Sequence, residues 1–192
     1  MTAAEKTLVE EMQAGSQRAF QELVKTYKNM VANTCYGFLQ NGADAEDVTQ
    51  EVFIEVYRSI GRFRGDSKLS TWLYRIATTR SIDLLRKRKR RSRVQSIQTF
   101  FGGEEAAMQV PDNNSQSPQQ ALENKERAAI LAEAVAKLPE AQRIAFTLSK
   151  YEDLSYQEIS DVMDKSISSV ESLLFRGKKN LRIQLEDYYR NQ

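Results

Sequence analysis

The sequence predicts an all-α protein built as two small helical domains joined by a flexible linker. Three observations carry this. Apolar residues recur every three or four positions over most of the 192 residues, the period of a helix buried on one face. Glycine and proline are scarce, eight and three, and they cluster in a few places. Residues 92–118 lose the helical period and carry Gly-Gly, Pro, Asn-Asn and Ser-Gln, the chemistry of turns and linkers. The domains are therefore read as 1–91 and 119–192. The segment between them would reach about 85 Å fully extended and about 25–30 Å relaxed. No stretch reads convincingly as a strand.

The first domain divides into four helices. A short one covers about 3–14. A second runs over about 16–40, with Phe20, Leu23, Val24, Tyr27, Val31, Thr34, Cys35 and Phe38 on one face. Cys35 lies on that stripe and is read as a small buried apolar residue. A third covers about 43–60, with Val48, Val52, Phe53, Val56 and Ile60 as its core stripe. A fourth begins near Ser70 and runs into RKRKRR, with Leu69, Leu73, Ile76, Ala77 and Leu84 inward.

The second domain holds a helix over about 119–137 and another over about 140–151, with Pro139 suited to its first position. Ser155 with Glu158, and Ser168 with Glu171, each form an S-x-x-E capping box. The two helix starts lie about thirteen residues apart, which is helix-turn-helix spacing. Along the last helix Val170, Leu174, Gly177, Leu181, Leu185 and Tyr188 fall on the core side. Ser169, Ser172, Arg176 and Asn180 fall opposite, with Lys179 beside them. Such groups hydrogen-bond base edges and phosphates, and they sit in the turns that enter a major groove. Glu171 would repel phosphate, so it is assigned to capping or to accepting from a cytosine amino group.

Composition excludes several classes of function. There is no histidine, which removes the usual general base and the commonest zinc ligand. No Gly-rich phosphate loop or nucleophile elbow is present, so the chain is read as no enzyme, with no cofactor and no metal. The single cysteine forms no internal disulfide, in keeping with a reducing compartment. The amino terminus is acidic and lacks an apolar run, so it is not expected to be a secretory signal. No run of eighteen apolar residues exists to cross a membrane, and the default is a soluble cytoplasmic protein.

Net charge is only +2, so the distribution of charge matters more than its total. Asp44, Asp47, Glu51 and Glu55 recur at three and four and share a helix face. That face is either solvated or a docking surface for a protein. On the fourth helix Trp72, Arg75, Thr79 and Arg86 share a face, so the sole tryptophan projects beside cations and threonines, a combination suited to unstacked bases. Residues 86–93 carry seven cations in eight positions, read as phosphate contacts or as a solvated tail. RFRGDSK, just upstream, is a short polar loop with a glycine hinge. One surface thus suits single strands and the other a duplex groove.

DAEDVTQEVFIEVYRSIGRFRGDSKLSTWLYRIATTRSIDLLR resembles conserved region 2 of bacterial RNA polymerase sigma factors. LPEAQRIAFTLSKYEDLSYQEISDVMDKSISSVESLLFRGKKNLR resembles region 4. The absence of other large regions, and the short linker, are similar to the extracytoplasmic-function group. The resemblance covers about residues 10–90 and 119–187.

It implies a partner and a role. Such proteins bind core RNA polymerase, through the β′ clamp helices and the β subunit, and direct it to promoter DNA. Asp47, Gln50 and Glu51 match positions that dock on the clamp helices. The loop Arg64, Gly65, Asp66, Ser67 and Lys68, with Thr78 and Thr79, matches the part that captures a flipped base of the −10 element. Trp72, Arg75 and Arg86 lie nearby. Ser168, Ser169, Ser172, Phe175, Arg176 and Lys179 fall on the helix that reads the −35 element. The resemblance also implies an anti-sigma factor as a partner, able to hold the protein at the membrane. Threonines stand at 78–79 where some members carry asparagine, and Glu171 stands where some carry a cation. The promoter sequences of other members therefore do not transfer. Two other readings stay open on the sequence: a dimeric helix-turn-helix regulator, and a helical adaptor whose basic run is a solvated tail.

Overall fold

A computed structural model describes residues 1–99 and 118–190, with side chains for 1–91, 127–186 and 190. Every regular element among them is helical, and the chain divides into two compact units, the first ending at Gln109 and the second beginning at Val110.

In the first unit α1 spans Ala3–Gln13, α2 Gln17–Leu39 and α3 Gly42–Ser59. A 3₁₀ turn follows over Ile60–Arg62, and α4 covers Leu69–Thr99. Each boundary has a local cause. Thr2 and Glu5 close a capping box on α1. The Ser16 hydroxyl accepts from the Ala19 amide at 3.2 Å, and the Asn41 side chain accepts from the Asp44 amide at 3.0 Å. Gln40 ends α2 in the left-handed conformation, so only two residues separate α2 from α3. The three long helices pack on one another, and α1 lies against α2 and the 3₁₀ turn. Leu23, Val31, Cys35, Val52, Val56, Leu69 and Leu73 are fully enclosed. Burying each such leucine or valine stabilises the fold by about 1.5–3 kcal/mol. Cys35 is buried, as its place on the stripe predicts. Phe20, Val24 and Tyr27 are only half-buried, and Ala19 joins the core in their place.

α4 runs through Thr99, past residue 91 where the first domain was expected to end. Its sequence there, SRVQSIQT, holds neither glycine nor proline, and the first breaker is Gly102. The rest of the expected linker, 100–117, lies outside the described residues.

In the second unit α5 spans Pro118–Lys137, α6 Glu140–Tyr151, α7 Tyr156–Met163 and α8 Ile167–Arg190. Pro139 is the cap of α6, one place before the first helical position expected for it. Its φ of −51° with ψ of 139° is extended, and it leads the chain out of α5. Leu148, Ile159, Val170 and Leu174 are buried between α6, α7 and α8. Ala134, Val135, Leu138 and Leu181 form a second cluster, with Leu131, Phe146 and Leu185 packed against it.

Candidate nucleic-acid interface

The α7–α8 pair is a helix-turn-helix. The Ser155–Glu158 box starts α7 as the sequence predicts. Asp164 ends it with φ of 51°, and the Ser160 hydroxyl donates to the Lys165 carbonyl across the turn. The predicted Ser168–Glu171 box does not form. α8 starts two residues earlier, where the Ser166 hydroxyl accepts from the Ser169 amide at 3.3 Å. The left-handed Asp164 turns the chain so soon that Ser166 is the first serine able to cap. Glu171 is left exposed in the helix, with no capping role.

This start sets the faces of α8. Val170, Leu174, Gly177 and Leu181 are buried and Leu185 half-buried; the side chain of Tyr188 lies outside those described. Ser168, Ser169, Ser172, Phe175, Arg176 and Lys179 are all exposed. Phe175 is 72 % exposed, unusual for so large an apolar ring on a helix whose other side supplies a core. The Arg176 Nε donates to the Ser172 carbonyl at 3.1 Å, which lays the guanidinium back toward the first turns. Asn180 departs from the expected reading face. It is half-buried, and its amide donates to the Gln142 Oε1 on α6 at 2.8 Å.

In the first unit the loop 64–68 hangs between the 3₁₀ turn and α4. Gly65 has φ of 77°, which a side chain would strain. Arg64, Asp66 and Lys68 are exposed, Gly65 and Ser67 partly so. Trp72 does not project freely as expected. It is half-buried, with its ring 4.8 Å from that of Phe63 at a tilt of 33°. Arg75 and Thr79 are exposed one turn apart, and the Thr79 hydroxyl donates to the Arg75 carbonyl at 2.8 Å. Thr78 is buried, 7 % exposed, with its hydroxyl oxygen unpartnered. The two threonines thus face opposite environments. Arg86 is exposed beside Asp83, 3.3 Å away. Lys87, Lys89, Arg90 and Arg91 are exposed along the same helix.

The acidic stripe of α3 is split by its neighbours. Asp44 pairs with Arg88, and Glu55 with Arg80 at 2.6 Å, both across to α4. Asp47, Gln50 and Glu51 lie exposed between those two ties. Next to Gln50 the sequence reasoning missed an apolar cleft of about 590 Å³ between α2 and α3, lined by Phe20, Val24, Phe53, Ile54 and Tyr57. Its signal was present: Ile54 and Tyr57 are apolar yet fall off the core stripe of α3. In the second unit a cleft of about 630 Å³ is lined by Leu131, Phe146, Leu181 and Leu185, with Lys178 and Arg182 beside them. Among the described residues no cluster of histidine, cysteine or carboxylate side chains could hold a metal ion. No described helix is long and apolar enough to cross a membrane.

Comparison with known proteins matches these surfaces to two family models. Residues 23–91 match Sigma-70 region 2, and residues 122–181 match Sigma-70 region 4. The chain is 35% identical over 190 residues to RNA polymerase sigma-H factor of Pseudomonas aeruginosa, covering 97% of this chain and 96% of that one. It is 36% identical over 178 residues to the ECF RNA polymerase sigma-E factor of Escherichia coli K12, covering 91% of each. The fold is similar to that of CnrH, solved in complex with the cytosolic domain of CnrY, with a TM-score of 0.67 at 22% identity over 96% of this chain and 99% of that one.

Proposed function

The chain belongs to the extracytoplasmic-function sigma factors of the sigma-70 family, and from that premise we propose which of its surfaces meet polymerase and which meet DNA. As a sigma factor it binds core RNA polymerase and directs promoter-specific transcription initiation. Its work is binding and strand opening, and sigma factors in general are not enzymes.

We assign polymerase docking to Asp47 and Glu51, the carboxylates that α4 leaves unpaired, with Gln50 between them and the neighbouring apolar cleft at Ile54 and Tyr57. Charge there steers encounter, and the cleft supplies area to bury. The apolar cleft of the second unit is the surface we assign to the β subunit. The loop 64–68, with Trp72, Arg75, Thr79 and Arg86, is assigned to the −10 element. There unstacking costs a few kcal/mol per step, and a captured base offsets part of it. Thr78 belongs to this site as a buried support, behind the exposed Thr79. The observation that carries the reading is α8: its outward face is serine, phenylalanine, arginine and lysine while its inward face is core, so it can enter a major groove without unfolding anything. That face is assigned to the −35 element. The domains of this reading are 1–91 and 119–192, joined by a segment over 92–118 that begins with the last turns of α4. A cytoplasmic site of action and an anti-sigma partner belong to the same proposal, the latter tested by recovery of a stoichiometric partner with the chain from its own cells.

The deciding experiment is co-elution with bacterial core polymerase, followed by transcription of a promoter library randomised in two segments. The expected result is a stoichiometric complex that selects sequence in both segments. Tight binding to duplex DNA without polymerase, and no complex, would overturn it.

A further inference from the structure

The amino-terminal helix α1 lies outside the residues matched to either family region, yet it reaches the base of the loop assigned to the −10 element. Two buried residues, Val9 and Met12, seat it. Glu5 ties it to α2, accepting from the Tyr27 hydroxyl at 3.0 Å. Its last residue, Gln13, has an exposed side chain whose amide nitrogen donates to two backbone carbonyls about fifty residues away: Ile60 at 3.0 Å and Phe63 at 2.9 Å.

Those carbonyls are the two ends of one turn, since the Phe63 amide itself donates to the Ile60 carbonyl at 3.0 Å. The Ile60 carbonyl has a second lone pair beyond that bond, and the Phe63 carbonyl lies past the last bond of the turn, so each can take a donor from outside. The Gln13 amide, with two N–H donors, meets both. Phe63 then stacks on Trp72, and its backbone is extended, with φ of −72° and ψ of 115°, as it delivers the chain to Arg64. Ile60 and Phe63 are themselves buried, so the setting of this turn fixes where the whole loop begins.

We propose that Gln13 is a positioning residue for −10 recognition, locking the Ile60–Phe63 turn so that the 64–68 loop and Trp72 hold one arrangement. It touches no DNA itself. The inference rests on the assignment of that loop to the −10 element. An apo loop fixed in this way loses less freedom when it captures a base.

The test uses the full chain with core polymerase on a promoter library randomised in its upstream and downstream segments, with transcripts sequenced. Gln13→Glu keeps the shape but replaces the donor with an acceptor-only carboxylate. The expected result is a five- to tenfold loss of base preference in the downstream segment, the scale of one or two net hydrogen bonds. Upstream preference and co-elution with polymerase should match wild type, while the urea midpoint falls modestly because two native hydrogen bonds are lost and the core is kept. The paired control is Arg64→Ala with Lys68→Ala. Loss of downstream preference in both variants supports the proposal. Loss in the loop variant alone removes Gln13 from the mechanism while leaving the loop assignment standing. Preference kept in both overturns the loop assignment, and this proposal with it. If Gln13→Glu depresses both segments equally, the amide is only structural and the proposal fails. Should Gln13→Glu not fold, Gln13→Ala decides by the same outcomes.

Discussion

Asn180 of α8 donates its amide to Gln142 of α6 at 2.8 Å, and this one bond takes Asn180 out of the outward face that carries Arg176. Arg176, one turn earlier, is exposed. Asn180→Ala would leave the buried Gln142 carbonyl unpaired, so it should lower stability by about 1–2 kcal/mol and leave promoter preference unchanged. Arg176→Ala should do the reverse, weakening −35-dependent initiation by about 1–3 kcal/mol with little change in stability. Urea unfolding and transcription of the two variants separate the roles. Full −35-dependent activity in Arg176→Ala would remove that residue from the readout.

The start of α8 makes its own prediction. Ser166 caps the helix and Ser168 stands within its first turn. Ser166→Ala should cost about 1 kcal/mol, and Ser168→Ala should be neutral or slightly stabilising, since alanine is the better helix former. Thermal unfolding of the two single variants measures this, and equal losses would contradict the observed cap.

The acidic stripe of α3 should respond differently at its ends and its middle. Glu55 and Arg80 are each more than a third exposed, so a double-mutant cycle across them should give no more than about 1 kcal/mol. Asp47→Lys with Glu51→Lys should leave the fold intact and weaken polymerase association at least about tenfold, mainly in its rate and most at low salt. A folded double variant with wild-type affinity would show the docking face to be misassigned.

Gly177 faces α6, and the sequence suggests that its missing side chain allows close packing. The geometry is less demanding: a Cβ there would lie 3.6 Å from that of Gln142, an ordinary contact. Gly177→Ala should therefore stabilise the second unit by about 0.5–1 kcal/mol through helix propensity. A fall in melting temperature would mean that the approach is tighter than this.

Burial, and then its hydrogen bond to Glu5, push the Tyr27 hydroxyl up to about 12. The sign follows from linkage. A raised folded value contributes stability that is present below the unfolded value of about 10 and is lost as pH rises through 12. Tyr27→Phe should cost about 0.5–1 kcal/mol at neutral pH. It should also flatten the decline of stability between pH 10 and 12. The partner works in the other direction: its hydrogen bond from the Thr2 backbone holds the Glu5 carboxyl below its usual range, so that contribution fades as pH falls through the acid range. Denaturant titrations across both windows test the pair.

Sequence alone determined what depends on near neighbours. Helix periods, the Ser155–Glu158 cap and the breaks at glycine and proline are set by residues close in the chain, most of them three or four apart. That is why the helices and the outward residues Ser169, Ser172 and Arg176 were legible. Tertiary structure decided what depends on partners far along the chain. Which carboxylates of α3 stay free is settled by Arg80 and Arg88, 25 and 44 residues away. Whether Trp72 projects is settled by Phe63, which of two adjacent threonines faces solvent by the packing of α4, and the fate of Asn180 by Gln142, 38 residues earlier. Two carbonyls held by Gln13 across about fifty residues leave no trace in any local pattern. A backbone acceptor has no sequence signature, so only the fold could reveal what closes on it.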